Sequence, residues 1–281
     1  MNKLQECQFK MLKKFIEVCK KYNLRYYLIG GTALGAVRHK GFIPWDDDID
    51  VAMPRPDYDK FITLQKDFED PFFIQTYHSD KNYIYNYAKL RNSSTTFIES
   101  YFALNHMNQG VWIDIFPLDG MSYKNVEPKT LGRKVRSSWH QAWAMYPYAL
   151  KRRFSFRTLY LDIPLNLCAL ICSFLNVGQY RNKMLDRQIK KIPFDKALLV
   201  GNLLGTDSNK QAMPLEIYGK GSVGTFEGIE VMLPENYDEY LTRIYGDYMQ
   251  LPPKEKQVGH HYNKGFSLEI GYKEYFKKHH I

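Results

Sequence analysis

Residues 29–53 read IGGTALGAVRHKGFIPWDDDIDVAM, and this run decides the fold. Tyr26-Tyr27-Leu28-Ile29 is a short apolar stretch that predicts a buried strand. It runs into Gly30-Gly31-Thr32, a strand-to-helix corner, and Ala33 to His39 predicts a helix. Gly41 to Asp48 predicts a loop, and Ile49 to Met53 the next strand. Backbone N–H groups at such a helix start can cradle a phosphate, and glycine lets it approach closely. Asp46, Asp47, Asp48 and Asp50 crowd four carboxylates together. Such a cluster costs stability unless a cation or an array of donors neutralises it. Ile49 separates Asp48 from Asp50, so on an extended chain both carboxylates face one side and Ile49 faces the core. Asp-x-Asp at a strand start is a compact holder for Mg²⁺ (or Mn²⁺), which takes carboxylates plus phosphate oxygens. An EF-hand loop is excluded, because Val51 stands where its glycine belongs and Pro54 and Pro56 interrupt the rest.

Upstream, Leu4, Cys7, Met11, Phe15, Val18 and Tyr22 recur at helical spacing, predicting an amphipathic helix over 4–22. Downstream, Pro54 and Pro56 end the strand, and a helix is expected over 57–68. Residues 72–116 carry short β-rich runs. In one of them, Ile113-Asp114-Ile115, a lone carboxylate sits in an apolar strand, which is expensive unless it is paired or metal-bound. Asp119 is expected to cap a turn. Residues 128–192 read as mostly helical. Ser222 to Leu233 predicts a hairpin turning at Glu227-Gly228, and Asn236 is expected to cap a helix over 237–245 that Gly246 closes.

Composition sets the outer limits. The chain has 281 residues, 44% hydrophobic and 25% charged, which excludes wholesale disorder. Its net charge of +9 favours polyanionic partners. No nucleic-acid-reading motif accompanies that charge, so nucleic acid is not an expected partner. Cys7, Cys19, Cys168 and Cys172 include no C-x-x-C pair and are expected as reduced thiols of a cytoplasmic protein. The amino terminus shows no apolar signal segment. Ile163 to Tyr180 is uncharged but broken by Pro164, Asn166, Asn176 and Gly178, and is expected as a buried or membrane-resting helix. A basic segment with Arg133, Lys134, Arg136, Lys151, Arg152, Arg153 and Arg157, interleaved with Trp139, Trp143, Tyr146 and Tyr148, has the chemistry to rest on an anionic leaflet, although a solvated helix face explains it slightly better.

Strand, Gly-Gly corner, helix, Asp-x-Asp strand and a third Asp on a later strand together resemble the nucleotidyltransferase (polymerase β-like) fold. The fold class expected is therefore α/β (α+β): a nucleotidyltransferase core with a mixed sheet, plus a helical segment. More closely, IGGTALGAVRHKGFIPWDDDIDVAMPRPDYDKF resembles the signature of the LicD family. KLRNSSTTF (89–97), WIDIFPLDG (112–120) and NYDEYLTRIYGDYMQLPPKEK (236–256) extend the resemblance over most of the chain, residues 125–210 matching only in general character. Fukutin and fukutin-related protein are eukaryotic relatives.

The resemblance implies a phosphotransferase that moves phosphocholine or a similar phosphoryl-alcohol group from a CDP-activated donor to a hydroxyl of a cell-surface or lipid-linked glycan, such as lipopolysaccharide, teichoic acid or capsule. It implies Asp48, Asp50 and Asp114 as the metal-binding, catalytic carboxylates, with Mg²⁺ or Mn²⁺. It implies Gly30, Gly31, Thr32 and Arg38 on the phosphate side, with Lys89 and Arg91 as weaker candidates for the same work. Asp46 and Asp47 belong to the motif in supporting or loop roles. Tyr83, Tyr85, Tyr87, Tyr101 and Trp112 are candidates for a quaternary-ammonium cage. The expected organisation is a catalytic core over 1–124, a mostly helical and potentially membrane-facing segment over 125–215, and a returning hairpin and helix over 216–281. The expected location is cytoplasmic, peripheral at the inner face of the membrane. Two rival readings are a nucleotide-sugar glycosyltransferase with one metal at its Asp-x-Asp, and a catalytically silent glycan- or membrane-associated scaffold.

Overall fold

A computed structural model describes residues 1–83, 85–100, 106–121, 177–203, 210–259 and 261–279. In chain order its elements are α1 (Lys3–Tyr22), β1 (Tyr27–Leu28), α2 (Gly30–Arg38), β2 (Asp50–Pro54), α3 (Arg55–Phe61), β3 (Phe72–Gln75), β4 (Ala88–Asn92), β5 (Thr96–Glu99) and β6 (Val111–Met121). Then follow α4 (Val177–Ile189), β7 (Leu199–Gly201), β8 (Met213–Pro214), α5 (Leu215–Tyr218), β9 (Ser222–Phe226), β10 (Ile229–Leu233), α6 (Tyr237–Tyr245), β11 (Asn263–Ser267) and α7 (Tyr272–His279).

The main sheet is mixed, in the order β1-β2-β6-β4-β3. β2 runs parallel to β6, and the other pairs along this path are antiparallel. β6 is long enough to carry two sets of partners: β2 and β4 along its first part, β7 at its end, with β8 beyond. It is buried along its whole length, as the run VWIDIF, apolar except for Asp114, requires of a strand covered on both faces. β11 returns from the far end of the chain to pair with β5.

α1 starts with a capping box, in which the Asn2 side chain accepts from the Gln5 N–H and the Gln5 side chain accepts from the Asn2 N–H. Its buried face differs from the expected stripe. Gln5, Gln8, Met11, Leu12, Phe15, Ile16, Val18 and Cys19 are buried, whereas Leu4, Cys7 and Tyr22 are only half-buried. The reason is polar: two glutamines face inward because they have partners there, described below.

Three further expectations are corrected. The helix expected over 57–68 begins at Arg55, with Pro56 in its first turn, and ends at Phe61; a separate 3₁₀ turn covers Gln65–Asp67. Proline fits the first helical turn, where its missing N–H costs nothing, so Pro56 opens a helix as well as ending a strand. Asp119 caps no turn. It lies buried in β6 and takes two hydrogen bonds from Arg55, both 2.6 Å, while Arg55 also meets Asp186 of α4 at 3.4 Å. Asn236 precedes α6 but makes no cap bond, and its side chain donates to the Glu216 carbonyl at 3.1 Å. The hairpin is as expected, with Glu227 (φ 47°) and Gly228 (φ 81°) forming the turn between β9 and β10.

Among the described residues no helix is long and apolar enough to cross a membrane. The expectations for Cys168 and Cys172, for the basic and aromatic segment 133–157, for most of 163–180 and for Tyr101 fall outside the described residues. Cys7 and Cys19 are free thiols, and burial raises both.

Candidate functional site

Register puts the three carboxylates together. In the parallel β2–β6 pair Asp50 stands opposite Asp114, and in the antiparallel β4–β6 pair Lys89 stands opposite Asp114. Asp48 precedes β2 by two residues, so it shares the face of Asp50, and Ile49 is fully buried between them. Oxygens of Asp48, Asp50 and Asp114 lie within 4.8 Å of one another. Three hard oxygen donors at this spacing match what Mg²⁺ or Mn²⁺ prefers. Asp114 Oδ2 takes the Trp112 indole N–H at 3.0 Å, and Asp114 Oδ1 faces the Lys89 ammonium at 3.1 Å. The donor set fits a divalent cation.

Electrostatics agree with that reading. Burial and the surrounding carboxylates push Asp48 up to about 8 and hold Asp50 well above the ordinary carboxylate range. Burial also raises Asp46 to about 6, although its hydrogen bond with Asp48 opposes the change. Like charges held together without water favour the protonated form. One fixed cation is already present. Lys89 is buried, 3.1 Å from Asp114, 3.7 Å from Glu99 and 4.0 Å above the Trp112 ring.

The glycine corner reaches the acids directly. α2 begins at Gly30 itself, three residues earlier than expected. Gly30 has φ 55°, in the left-handed region, and a Cβ there would stand 3.3 Å from Asp50 Oδ2. A Cβ on Gly31 would stand 2.8 Å from Asp46 Oδ2. Both glycines therefore let the positive end of α2 approach carboxylates. The Gly30 N–H donates to the buried Tyr240 hydroxyl at 3.0 Å, which fixes the corner against α6.

The other expected phosphate-side residues are placed as follows. Thr32 points its hydroxyl at the strand, where Oγ1 accepts from the Asp50 N–H at 2.8 Å. Replacing Thr32 by Val keeps the shape and leaves that amide unpaired, which is expected to cost ~1–3 kcal/mol in denaturant unfolding. Thr32→Ser is expected to restore most of it. Arg38 reaches across to the carbonyls of Tyr248 (2.7 Å) and Gln250 (3.3 Å). Arg91 is fully buried and its donors serve the fold: Gln75 Oε1 at 2.7 Å, the Gly110 carbonyl at 2.8 Å and Glu99 at 3.5 Å. Burial would raise Glu99, but Lys89 and Arg91 hold it below the ordinary value. The structure thus brings Lys89 to the carboxylates and keeps Arg91 behind it. Of the aromatic candidates, Tyr85 and Tyr87 stack at 4.8 Å, Tyr83 packs edge-on against both, and Tyr87 lies 4.5 Å from Phe116. The Lys89 ammonium stands 5.9 Å above Tyr85.

Four site-building residues escaped the sequence reading. Gln5 donates to the carbonyls of Asp46 (2.9 Å) and Ile43 (3.3 Å), and Gln8 to those of Asp47 (2.9 Å) and Trp112 (3.3 Å). Two buried carboxamides of α1 therefore hold the backbone of the acidic loop. Their three-residue spacing, in line with Met11, Leu12 and Phe15, was the available signal. His261 gives Asp47 its backbone N–H at 2.9 Å and pairs with it through Nδ1 at 3.0 Å. Burial alone would lower its imidazole, but Asp47 and Asp48 raise it to about 9. Tyr240 is the fourth. Nothing near His261 or Tyr240 in sequence points to the acidic loop.

Comparison with known proteins shows the family. The family described as LicD/FKTN/FKRP, nucleotidyltransferase domain, matches residues 23–164. The chain is 30% identical over 262 residues to the lipopolysaccharide cholinephosphotransferase LicD of Haemophilus influenzae, covering 92% of this chain and 94% of that protein. A shorter stretch of 74 residues, 26% of this chain and 28% of the other, is 34% identical to an uncharacterized protein of Rickettsia prowazekii.

Proposed function

This chain belongs to the LicD family and is a transferase, and on that premise we propose that it moves phosphocholine, or a close phosphoryl-alcohol, from a CDP-activated donor to a hydroxyl of a lipid-linked or cell-surface glycan. The observation that carries the reading is the convergence of Asp48, Asp50 and Asp114 on one face, with Lys89 beside them and the Gly30-Gly31 corner against them. The relative's activity on lipopolysaccharide supports choline as the alcohol and a lipopolysaccharide sugar as the acceptor. We read the strands and helices around the carboxylates as a nucleotidyltransferase core over 1–124, followed by a segment over 125–215 and a returning portion over 216–281. The proposed location is the cytoplasmic face of the inner membrane, held peripherally.

Asp48, Asp50 and Asp114 would hold a divalent cation, which when bound neutralises the donor's diphosphate. The backbone N–H groups of Gly31 and Thr32, at the positive end of α2, would face the same phosphates. Lys89 Nζ, buried and 3.1 Å from Asp114, adds a fixed positive charge where negative charge builds on the transferred group. The acceptor oxygen attacks the phosphorus that bears the alcohol; its bond to that phosphorus forms as the bond to the CMP oxygen breaks, and CMP leaves. Asp114 accepts the hydrogen bond of the attacking hydroxyl, orients it and takes its proton as the new oxygen–phosphorus bond forms. Tyr85 and Tyr87, only partly buried, offer ring faces to a quaternary ammonium.

The test is CMP release from a panel of CDP-alcohols with Mg²⁺ or Mn²⁺ and glycan extract as acceptor. CMP from CDP-choline that depends on both cation and acceptor supports the reading. UDP release from a nucleotide sugar, with no CMP from any donor, overturns it in favour of glycosyl transfer.

A further inference from the structure

Between Tyr248 and His261 the chain forms a loop whose two ends are fastened to the site. At one end Arg38 of α2 donates to the carbonyls of Tyr248 and Gln250, 2.7 and 3.3 Å. At the other, His261 binds Asp47 of the acidic loop through its backbone N–H and its ring, 2.9 and 3.0 Å. Within the loop, Gln257 Nε2 donates to the Pro252 carbonyl at 2.9 Å, and Lys254–Lys256 make one 3₁₀ turn. The loop is therefore a shaped knob at the rim of the carboxylate site.

Its surface chemistry is unusual for a loop. Met249 is 57% exposed, Leu251 55%, Val258 53% and Tyr262 77%. Twelve large hydrophobic residues are exposed among the described residues, and six of them fall between Tyr245 and Phe266. Single exposed apolar residues need no explanation, but a concentration of them does. Lys254 and Lys256 are exposed in the same knob, and no ion pair holds either among the described residues. Apolar side chains beside unengaged lysines are the chemistry of an anionic bilayer interface, where the apolar groups enter the headgroup boundary and the lysines meet lipid phosphates. A sugar surface would call instead for several carboxylates and free carboxamides; between Tyr248 and His261 Glu255 is the one carboxylate, and of the two carboxamides, Gln250 and Gln257, the second is engaged with the Pro252 carbonyl.

We propose that the Met249–Tyr262 knob rests on an anionic lipid surface and so holds the carboxylate site at the membrane. This deepens the proposed function, because a lipid-linked acceptor presents its sugar at that surface. The contact itself does not depend on which group is transferred.

The experiment is co-sedimentation of the full chain with vesicles of phosphatidylglycerol and phosphatidylethanolamine, against vesicles of phosphatidylcholine alone. Wild type is expected to pellet with the anionic vesicles and to be released by high salt. The pairs Met249→Ser with Leu251→Ser, and Lys254→Gln with Lys256→Gln, are each expected to weaken binding about tenfold. Val223→Ser, an exposed apolar change on the β9–β10 hairpin, is expected to bind as wild type. Unchanged melting temperatures show that the variants fold. Wild type bound equally to neutral vesicles, or knob variants bound as tightly as wild type, overturns the proposal, as does wild type that binds neither kind of vesicle. CMP release to a lipid-free sugar acceptor is read in parallel and is expected to be the same in wild type and knob variants. If it is absent even from wild type while the vesicle results hold, the transfer reading fails and the membrane surface stands.

Discussion

Asp50→Asn is expected to lower CMP release on the order of 10³-fold, the scale of losing one preorganised electrostatic group at a reacting centre. The substitution changes charge and little else. Asp50 is held by its backbone: its N–H bonds Thr32 Oγ1 at 2.8 Å and its carbonyl accepts from Ile29 at 3.1 Å. Asparagine has the same shape, so the β2–β6 register and the Gly30 approach should survive. What disappears is one of three charges that converge on one point. The stability effect should run the other way. Burial, Asp48 and Asp114 hold the Asp50 carboxyl well above its ordinary range, so in metal-free protein its ionised form is a burden. Asp50→Asn should melt no lower than wild type without cation, and higher at alkaline pH. Activity within tenfold of wild type, or a metal-free melting temperature well below it, would remove Asp50 from the proposed machinery. The same pattern is expected for Asp48→Asn. It separates these residues from Asp119, whose carboxylate is paired with Arg55 at 2.6 Å, and whose replacement should destabilise the fold because it leaves a buried guanidinium with only its longer contacts to Asp59 and Asp186.

The order of strand, glycine corner, helix and acidic strand was legible because each step is local. Gly30-Gly31 and Asp48-x-Asp50 show their geometry in spacings of one and two residues. Asp114 was legible because a carboxylate in VWIDIF breaks an apolar run and needs a reason. What stayed hidden depends on partners far along the chain. Lys89 and Arg91 sit two apart on β4 and look equivalent in sequence. Pairing with β6 sets Lys89 against Asp114 and Arg91 against Trp112, so one reaches the site and the other is enclosed by Gln75, Gly110 and Glu99. Thr32 reads as a phosphate-side residue, and only the fold shows that its hydroxyl also fastens Asp50, a bond across eighteen residues. Gln5 and Gln8 read as polar interruptions of an amphipathic helix, because a periodicity argument scores burial and not the carbonyls that make burial of an amide affordable. His261 bonds across 214 residues, and no local pattern encodes that.

Metal-free protein is expected to lose stability as pH rises from about 5 to 9, and Mn²⁺ or Mg²⁺ to reverse the loss. The sign follows from proton counts. Asp48, pushed up to about 8, and Asp50, held well above its ordinary range, bind protons in the folded state at pH values where the unfolded chain has released them. Stability from such groups is complete below their unfolded values and disappears as pH climbs through the folded ones. His261, raised to about 9, acts in the same direction, since the folded protein retains its proton above the pH at which the unfolded imidazole loses it. Glu99 is lowered and opposes them only in acid, where its contribution falls away as pH drops through its folded value. Metal-free protein should therefore be most stable in mildly acidic solution. A cation that binds only the folded form, at a thousandfold excess over its dissociation constant, adds about 4 kcal/mol. For a chain of this size that is a rise in melting temperature of roughly 10 °C. The rise should be largest at pH 8–9, because the cation binds the ionised carboxylates, and should shrink toward pH 5, where protons compete for the same oxygens. Thermal melts at pH 5, 7 and 9, with and without Mn²⁺, measure both slopes. A metal-free melting temperature independent of pH would mean that the carboxylates are neutralised by some other means. A cation effect equally large in Asp50→Asn would place the ion elsewhere on the protein.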